Sequence, residues 1–132
     1  MEHVALCSCS SVKLVATGEP SFVVACHCLV CQGRTGSFFG MGAYFPSERV
    51  SVFGITREYV RATEPWNHFY FCPAGGSTTH WNSDKDNGLV GVAVGNFAEP
   101  SFVVPIRSVW EQTKHNWVQL STPQHFAKGR ED

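Results

Sequence analysis

The sequence predicts a small all-β protein built from short antiparallel sheets. Its 132 residues include 12 Gly, 7 Pro and 6 Cys, and only 16% are charged, which is typical of short strands joined by tight turns. Apolar runs such as residues 22–25 and 89–94 are rich in β-branched or aromatic side chains and adjoin turn residues, which favours strands. None of the predicted strands shows a convincing 3.6-residue periodicity, so the predicted fold class is all-β.

Length and charge exclude several classes of protein. The chain is long enough for one hydrophobic core and too short for two, so we expect a single domain over residues 1–132. The net charge of -1, without a Lys/Arg cluster, argues against nucleic acid as a partner. No apolar run has the roughly 18 residues of a membrane span. The chain begins Met1-Glu2-His3 without an apolar signal segment, so we expect a cytoplasmic protein.

The most informative stretch places Cys26, Cys28 and Cys31 within six residues. Side chains i and i+2 of a strand point to one face, so Cys26 and Cys28 should lie side by side where the predicted strand ends. A C-x-x-C turn then brings Cys31 back toward them. Three converging thiolates suit zinc, which keeps a fourth position open when the site is catalytic. The alternatives are disulfides, inert buried thiols or an iron–sulfur cluster, and reduced thiols in the cytoplasm argue against disulfides.

The other three cysteines lie far from this stretch in sequence. Cys7 and Cys9 occupy the bend of a predicted hairpin, with both thiols on one face. Cys72 begins the sequence Cys-Pro-Ala-Gly-Gly, which has the form of a metal-binding turn with one ligand missing, because Gly75 stands where a second thiol is expected. The cysteines thus predict one three-thiol site, together with a separate thiol pair and a metal-binding turn that lacks one ligand.

Residues near the first thiol stretch add expectations about its surroundings. Residues 32–37 are predicted to form a glycine-rich polar loop, whose backbone amides and Arg34 would face a bound anion. His27 should point away from the neighbouring thiols. It should therefore either support the metal ligands through a hydrogen bond or lie at the surface. Gly40 and Gly42 leave one face of a predicted strand without side chains, so another group should pack closely there. Trp81 is expected in the core or in a cavity wall.

The sequence also contains one short repeat. Glu-Pro-Ser-Phe-Val-Val occurs at residues 19–24 and again at residues 99–104. The identity does not extend further in either direction. We interpret the two copies as similar entries from a turn into a strand, rather than as a duplication that carries a second site.

Taken in order, these motifs resemble the glutathione-dependent formaldehyde-activating (GFA) family, or S-(hydroxymethyl)glutathione synthases, whose domain is shared with centromere protein V. The resemblance extends over about residues 4–126. The matching motifs are Cys7-x-Cys9, Cys26-His27-Cys28-x-x-Cys31, Arg34 to Gly36, Phe71-Cys72-Pro73-x-Gly75-Gly76, Val109-Trp110 and Trp117-Val118.

The resemblance implies a fold and two metal sites. The fold is a β-tent, in which short antiparallel sheets surround zinc-binding turns. Cys26, Cys28 and Cys31 match the three ligands of the family's catalytic zinc. The remaining ligands, Cys7, Cys9 and Cys72, match three of the four in its structural site, and the fourth position is Gly75. One Zn²⁺ is therefore expected at the first set, and occupancy of the second is left open, since closed structural sites use four protein ligands.

The resemblance also implies a function. The chain is expected to be a zinc-dependent carbon–sulfur lyase acting on a thiol–aldehyde adduct such as S-(hydroxymethyl)glutathione, with a small-molecule thiol as its partner. Arg34 is the candidate catalytic cation beside the three thiolates. One alternative is a zinc-stabilised, non-catalytic binding module. In another, Cys72 joins Cys26, Cys28 and Cys31 in one closed four-thiolate site; an open coordination position distinguishes the enzyme from both.

Overall fold

The predicted strand pattern is borne out in a computed structural model, which describes residues 1–62, 66–85 and 88–129. Within these ranges the strands are β1 (Glu2–Leu6), β2 (Lys13–Thr17), β3 (Phe22–Cys26), β4 (Gly40–Pro46), β5 (Val50–Phe53), β6 (Arg57–Arg61), β7 (Asn67–Phe71), β8 (Thr78–Ser83), β9 (Leu89–Ala93), β10 (Arg107–Val109) and β11 (Gln124–His125). The α-helix α1 spans Leu29–Thr35, and short 3₁₀ helices lie at Ser47–Arg49, Val94–Phe97 and Glu111–Thr113. The predicted all-β class is confirmed.

The described strands form two sheets. The smaller is antiparallel, with the order β1-β2-β5. The larger has the order β11-β10-β3-β4-β9-β8-β7-β6. Its pairs are antiparallel except that β10 runs parallel to both β3 and β11. Parallel pairing needs long connections, which residues 94–106 provide before β10 and residues 110–123 provide before β11. No helix in the described part of the chain is long and apolar enough to cross a membrane.

The core joins the two sheets. Alternate residues of β1 and β2 are buried, as expected for strands with one face turned inward. Their side chains, including Ala5 and Leu14, form one cluster with Val23, Phe45 and Val92 of the larger sheet. Alternate residues on the opposite face of the larger sheet, such as Phe22, Val24 and Tyr44, line a cavity instead.

One prediction about the segment after the thiol stretch is wrong. Residues 32–37, expected as a loop, lie mostly in α1, which ends at Gly36. Cys28 begins the helix as its N-cap, where its sulfur accepts a hydrogen bond from the Cys31 N–H at 3.3 Å. Gly36 ends it in the left-handed conformation, with φ 68°, which glycine adopts without steric cost. A seven-residue helix is too short to show helical periodicity in sequence.

The prediction that both copies of the repeat enter a strand is wrong for the second copy. The first copy enters β3 at Phe22, as expected. The second forms a turn in which the Phe102 N–H donates to the Glu99 carbonyl at 3.0 Å, and residues 101–106 contain no strand. Phe102 instead stacks on the imidazole of His3, with ring centroids 3.8 Å apart. The same six residues therefore adopt different structures.

The glycine-rich face of β4 is packed as predicted. The ring of Trp81, on β8, covers both Gly42 and Gly91, and a Cβ atom at either position would collide with it. Trp81 Nε1 also donates to the Tyr44 hydroxyl at 3.0 Å. Trp81 is only 8% exposed, so these two glycines allow a large aromatic ring to lie flat on the floor of the cavity.

Candidate metal centre and substrate cavity

The first thiol cluster is assembled by the junction between β3 and α1. Cys26 is the last residue of β3, Cys28 is the N-cap of α1, and Cys31 lies in its first turn. Their three sulfur atoms all lie within 4.8 Å of one another. A strand end and a helix start, separated by two residues, therefore bring the sulfurs together.

Hydrogen bonding within this cluster produces strongly shifted pKa values. Hydrogen bonds from Cys26 and Cys31 lower the pKa of Cys28 to about 2. The hydrogen bond with Cys28, together with that from Cys31 and burial, raises the pKa of Cys26. One thiolate is thus stabilised by two protonated neighbours, because three adjacent thiolates repel one another. A divalent cation would remove that repulsion and allow all three sulfurs to ionise.

Arg34 supplies a cation beside the cluster. Its Nη2 atom lies 4.0 Å from Cys31 Sγ. The guanidinium carbon is 5.1 Å from the ring centroid of Phe69 and 4.8 Å from that of Trp81. These cation–π contacts hold the charge over the aromatic wall, and Arg34 Nε is buried without a hydrogen-bond partner. The guanidinium therefore retains donor capacity next to the thiols.

His27 supports the cluster without belonging to it. Its ring is fully buried, and Nε2 lies 2.9 Å from the Ser108 hydroxyl. The alternative that it lies at the surface is wrong. Its backbone carbonyl accepts hydrogen bonds from Gln32 Nε2 at 2.9 Å and Thr113 Oγ1 at 2.8 Å. The residue thereby anchors the segment between Cys26 and Cys28 to α1 and to the later chain.

The three thiols open into a cavity of about 540 Å³ against the larger sheet. Aromatic rings form much of its wall, with contributions from Phe22, Tyr44, Phe69, Trp81 and Trp110. Among the described lining residues, four are basic and none is acidic. The basic residues are Arg34, Arg61, Lys85 and Arg107. The cavity thus joins a soft metal-binding cluster to a positively charged wall.

The second thiol cluster joins two distant loops. Cys7 and Cys9 lie between β1 and β2, and Cys72 follows β7. The Cys9 sulfur is 3.6 Å from that of Cys7 and 3.5 Å from that of Cys72. Because Cys72 lies here, it is not a fourth ligand of the first cluster, and that alternative is wrong. The Gly75 N–H donates to Cys72 Sγ at 3.3 Å, which brings residue 75 to the same cluster.

The geometry of both clusters suits zinc. Tetrahedral zinc with Zn–S bonds of about 2.3 Å holds its sulfurs about 3.8 Å apart, close to the separations from Cys9 to Cys7 and Cys72. Each cluster supplies three thiols. In the second, a Cβ atom at Gly75 would lie 3.0 Å from Cys9 Sγ, so position 75 faces the sulfurs as predicted but has no ligand to offer. The two sets can each hold a metal ion with three protein ligands.

Sequence reasoning did not identify Arg61, Lys85 and Arg107 as cavity residues. They lie on different strands or loops and share no motif. No signal in the sequence would have found them, since only the structure shows that Trp81 covers Gly42 and Gly91 beside this cavity. His68, His80, His115 and His125, for which the sequence predicts no ligand-like spacing, belong to neither thiol cluster.

The fold and the two clusters define a small all-β protein that can hold two metal ions through thiolates. The chain belongs to the family described as glutathione-dependent formaldehyde-activating enzyme, whose model matches residues 2–113. A crystal structure of a Rhodobacter sphaeroides protein is similar, with a TM-score of 0.57 and 19% identity over 70% of this chain and 85% of that chain. At that identity the likeness establishes the fold alone. No curated protein matches the sequence.

Proposed function

We propose that this protein is a zinc-dependent carbon–sulfur lyase that forms or cleaves a thiol–aldehyde adduct such as S-(hydroxymethyl)glutathione. The observation that carries the proposal is the opening of the Cys26, Cys28 and Cys31 sulfurs into a cavity beside the Arg34 guanidinium. Family membership supports the choice of a glutathione-dependent reaction. The six free cysteines favour a reducing compartment, and we propose the cytoplasm.

Cys26, Cys28 and Cys31 are the proposed ligands of the catalytic zinc. Zinc bound there would supply a Lewis acid with one position open to an incoming thiol. In the proposed reaction the thiol sulfur bonds to the aldehyde carbon, and the carbonyl oxygen gains the proton that the thiol loses. The reverse reaction breaks the carbon–sulfur bond and returns thiol and aldehyde.

Arg34 is the proposed catalytic cation. A guanidinium presents a planar positive charge with several N–H donors, so its role here is to stabilise negative charge rather than to transfer a proton. Three thiolates more than neutralise a divalent ion, and a further anionic sulfur or oxygen would be repelled without a nearby cation. Phe69 and Trp81 orient the guanidinium before substrate arrives, so that little reorganisation is needed during the reaction.

The alternative is a non-catalytic module in which metal only joins loops. It is favoured by the second cluster, where Cys9 and Cys72 meet across 63 positions of sequence. The two functions differ at the first cluster, because an enzyme needs an exchangeable coordination position there.

Cobalt substitution tests this difference. In the cobalt-loaded protein, millimolar glutathione should change the visible thiolate-to-metal spectrum, and the change should be absent in Cys28→Ser. The rate of exchange between glutathione, formaldehyde and their adduct, measured by NMR, should exceed that in buffer. If the spectrum does not change when thiol is added, and the exchange rate equals that in buffer, the binding-module alternative is established.

A further inference from the structure

The second thiol cluster contains one cysteine that solvent reaches directly. Cys9 is exposed, whereas Cys7 and Cys72 are buried. The cysteines of the first cluster are each half-buried and line the cavity. Position 75, where a side chain would lie over Cys9 Sγ, is an exposed glycine. Cys9 is therefore the cysteine that a reagent in solution reaches most readily.

Two buried thiols lie close to the Cys9 sulfur. The distance from Cys9 Sγ is 3.5 Å to Cys72 Sγ and 3.6 Å to Cys7 Sγ. A disulfide between Cys9 and Cys7 would close a ring around a single residue, and such short loops are difficult to close. Cys72 lies on a separate loop and is free of this constraint. An S–S bond of about 2.05 Å requires the Cys9 and Cys72 sulfurs to approach by about 1.5 Å, a shift that rotation of an exposed side chain supplies.

Two serines hold the loops of Cys9 and Cys72 together. Ser77 Oγ donates to Ser8 Oγ at 2.9 Å, and the Ser8 N–H donates to Ser77 Oγ at 3.1 Å. These hydrogen bonds join the bend after β1 to the turn after β7. Neither bond involves a sulfur atom, so both remain while the thiols react. Cys9 and Cys72 therefore stay adjacent during a change in their own chemistry.

We propose that Cys9 is a site of reversible oxidation by hydroperoxides and that it forms a disulfide with Cys72. The inference concerns the second cluster alone and does not depend on the proposed function. Disulfide formation uses two of the three thiols, so the oxidised cluster no longer holds a metal ion through three thiolates. The cluster then has two exclusive states, a metal-binding thiol form and a disulfide form. In a reducing compartment the disulfide form is transient.

Hydrogen peroxide supplies the oxidising equivalents. The Cys9 thiolate attacks one peroxide oxygen, the O–O bond breaks and hydroxide leaves, so that Cys9 becomes a sulfenic acid. The Cys72 thiolate then attacks the Cys9 sulfur, the S–S bond forms, and the S–O bond breaks with release of a second hydroxide. The protons lost by the two thiols convert both hydroxides to water. Excess thiol reverses the oxidation by thiol–disulfide exchange.

Tryptic digestion separates the cysteines that the test must distinguish. Cys7 and Cys9 lie on the peptide of residues 1–13, the first cluster lies on residues 14–34, and Cys72 lies on residues 62–85. The zinc-loaded protein is treated with hydrogen peroxide, alkylated and digested, and the peptides are identified by mass spectrometry. We expect a link between residues 1–13 and 62–85 to form before any disulfide within residues 14–34, and dithiothreitol should remove it. Absence of this link, a bridge within residues 1–13 instead, or faster oxidation of residues 14–34 would overturn the inference.

Variants assign the reaction to the exposed thiol. Cys9→Ser keeps Cys7 and Cys72 but removes the attacking sulfur, so the link should be lost. Cys28→Ser is the matched control, because it removes one sulfur of the first cluster and should form the link at the wild-type rate. Gly75→Ser should slow the link, since its side chain would lie over Cys9 Sγ. A link that persists in Cys9→Ser would assign the reaction to Cys7 and contradict the inference, and equal rates in wild type and Gly75→Ser would show that the missing side chain does not expose Cys9.

Discussion

The missing side chain of Gly75 is directed at the sulfur of Cys9. A Cβ atom built at residue 75 would lie 3.0 Å from Cys9 Sγ and 3.2 Å from Cys9 Cβ. The backbone at Gly75 does not have a positive φ, in contrast to Gly76 at 81°. Position 75 therefore accepts an L side chain without backbone strain, and a ligand there would reach the second thiol cluster after a small shift of Cys9.

Gly75→Cys should complete a four-thiolate site with Cys7, Cys9 and Cys72. Structural zinc stabilises small domains by about 10–16 kcal/mol in the most favourable cases, so even a fraction of this would raise the melting temperature. We expect the variant to contain more zinc than wild type and to melt later in zinc, but not in chelator. Gly75→Ser is the matched control, because it fills the same space with a far weaker zinc ligand. A variant that neither gains zinc nor melts later would contradict the geometry.

Cys28→Ser and Cys31→Ser should each remove about one zinc per chain, because two remaining thiolates bind the ion weakly. The measurement is metal content of the purified protein by mass spectrometry. Cys9→Ser serves for comparison, since it changes only the second cluster and should leave the first zinc in place. Unchanged zinc content in both first-cluster variants would show that these sulfurs do not hold the metal.

Arg34→Gln should slow adduct exchange about 100-fold, the scale seen when one charge-stabilising donor is removed. Arg34→Lys should recover part of the rate, since it keeps the charge but not the planar stacking on Phe69 and Trp81. Zinc content measured in parallel should equal that of wild type. Full activity of Arg34→Gln would leave Arg34 with no catalytic role.

Stability should fall in mild acid because of His80. Burial lowers the pKa of His80 to about 4, below the value of about 6.5 in an unfolded chain. Between these values the unfolded state binds more protons than the folded state, so the free energy of unfolding decreases as pH falls from 6.5 to 4. The loss attributable to His80 amounts to about 3 kcal/mol at most. It is measured as the difference in urea denaturation between wild type and His80→Phe across this range.

His80→Phe keeps the stacking on Tyr70, whose ring centroid lies 4.6 Å away, but removes the titrating group. Zinc release in acid affects both proteins and cancels in the difference. Parallel pH profiles for the two proteins would show that His80 does not charge on unfolding in this range.

Local spacing was sufficient to predict the first thiol cluster. Cys26, Cys28 and Cys31 lie within six residues, so strand geometry and one turn decide where their sulfurs point. The incorrect prediction of a loop over residues 32–37 did not affect this cluster, because the turn that brings Cys31 back toward Cys26 and Cys28 precedes those residues. The partnership of Cys72 with Cys7 and Cys9 was accessible only through the family resemblance, since these residues are more than 60 positions apart.

The sequence by itself determined the all-β class, the three-thiol stretch and the absence of a fourth ligand at Gly75, because each depends on composition or on neighbouring residues. Only the tertiary structure decided which copy of Glu-Pro-Ser-Phe-Val-Val enters a strand and which forms a turn. Phe22 begins β3, which pairs with the antiparallel strand β4. Phe102 instead stacks on the buried ring of His3 and lies in a turn. The same reason applies to Arg61, Lys85 and Arg107. Strand order, which depends on packing between distant segments, brings them to one cavity.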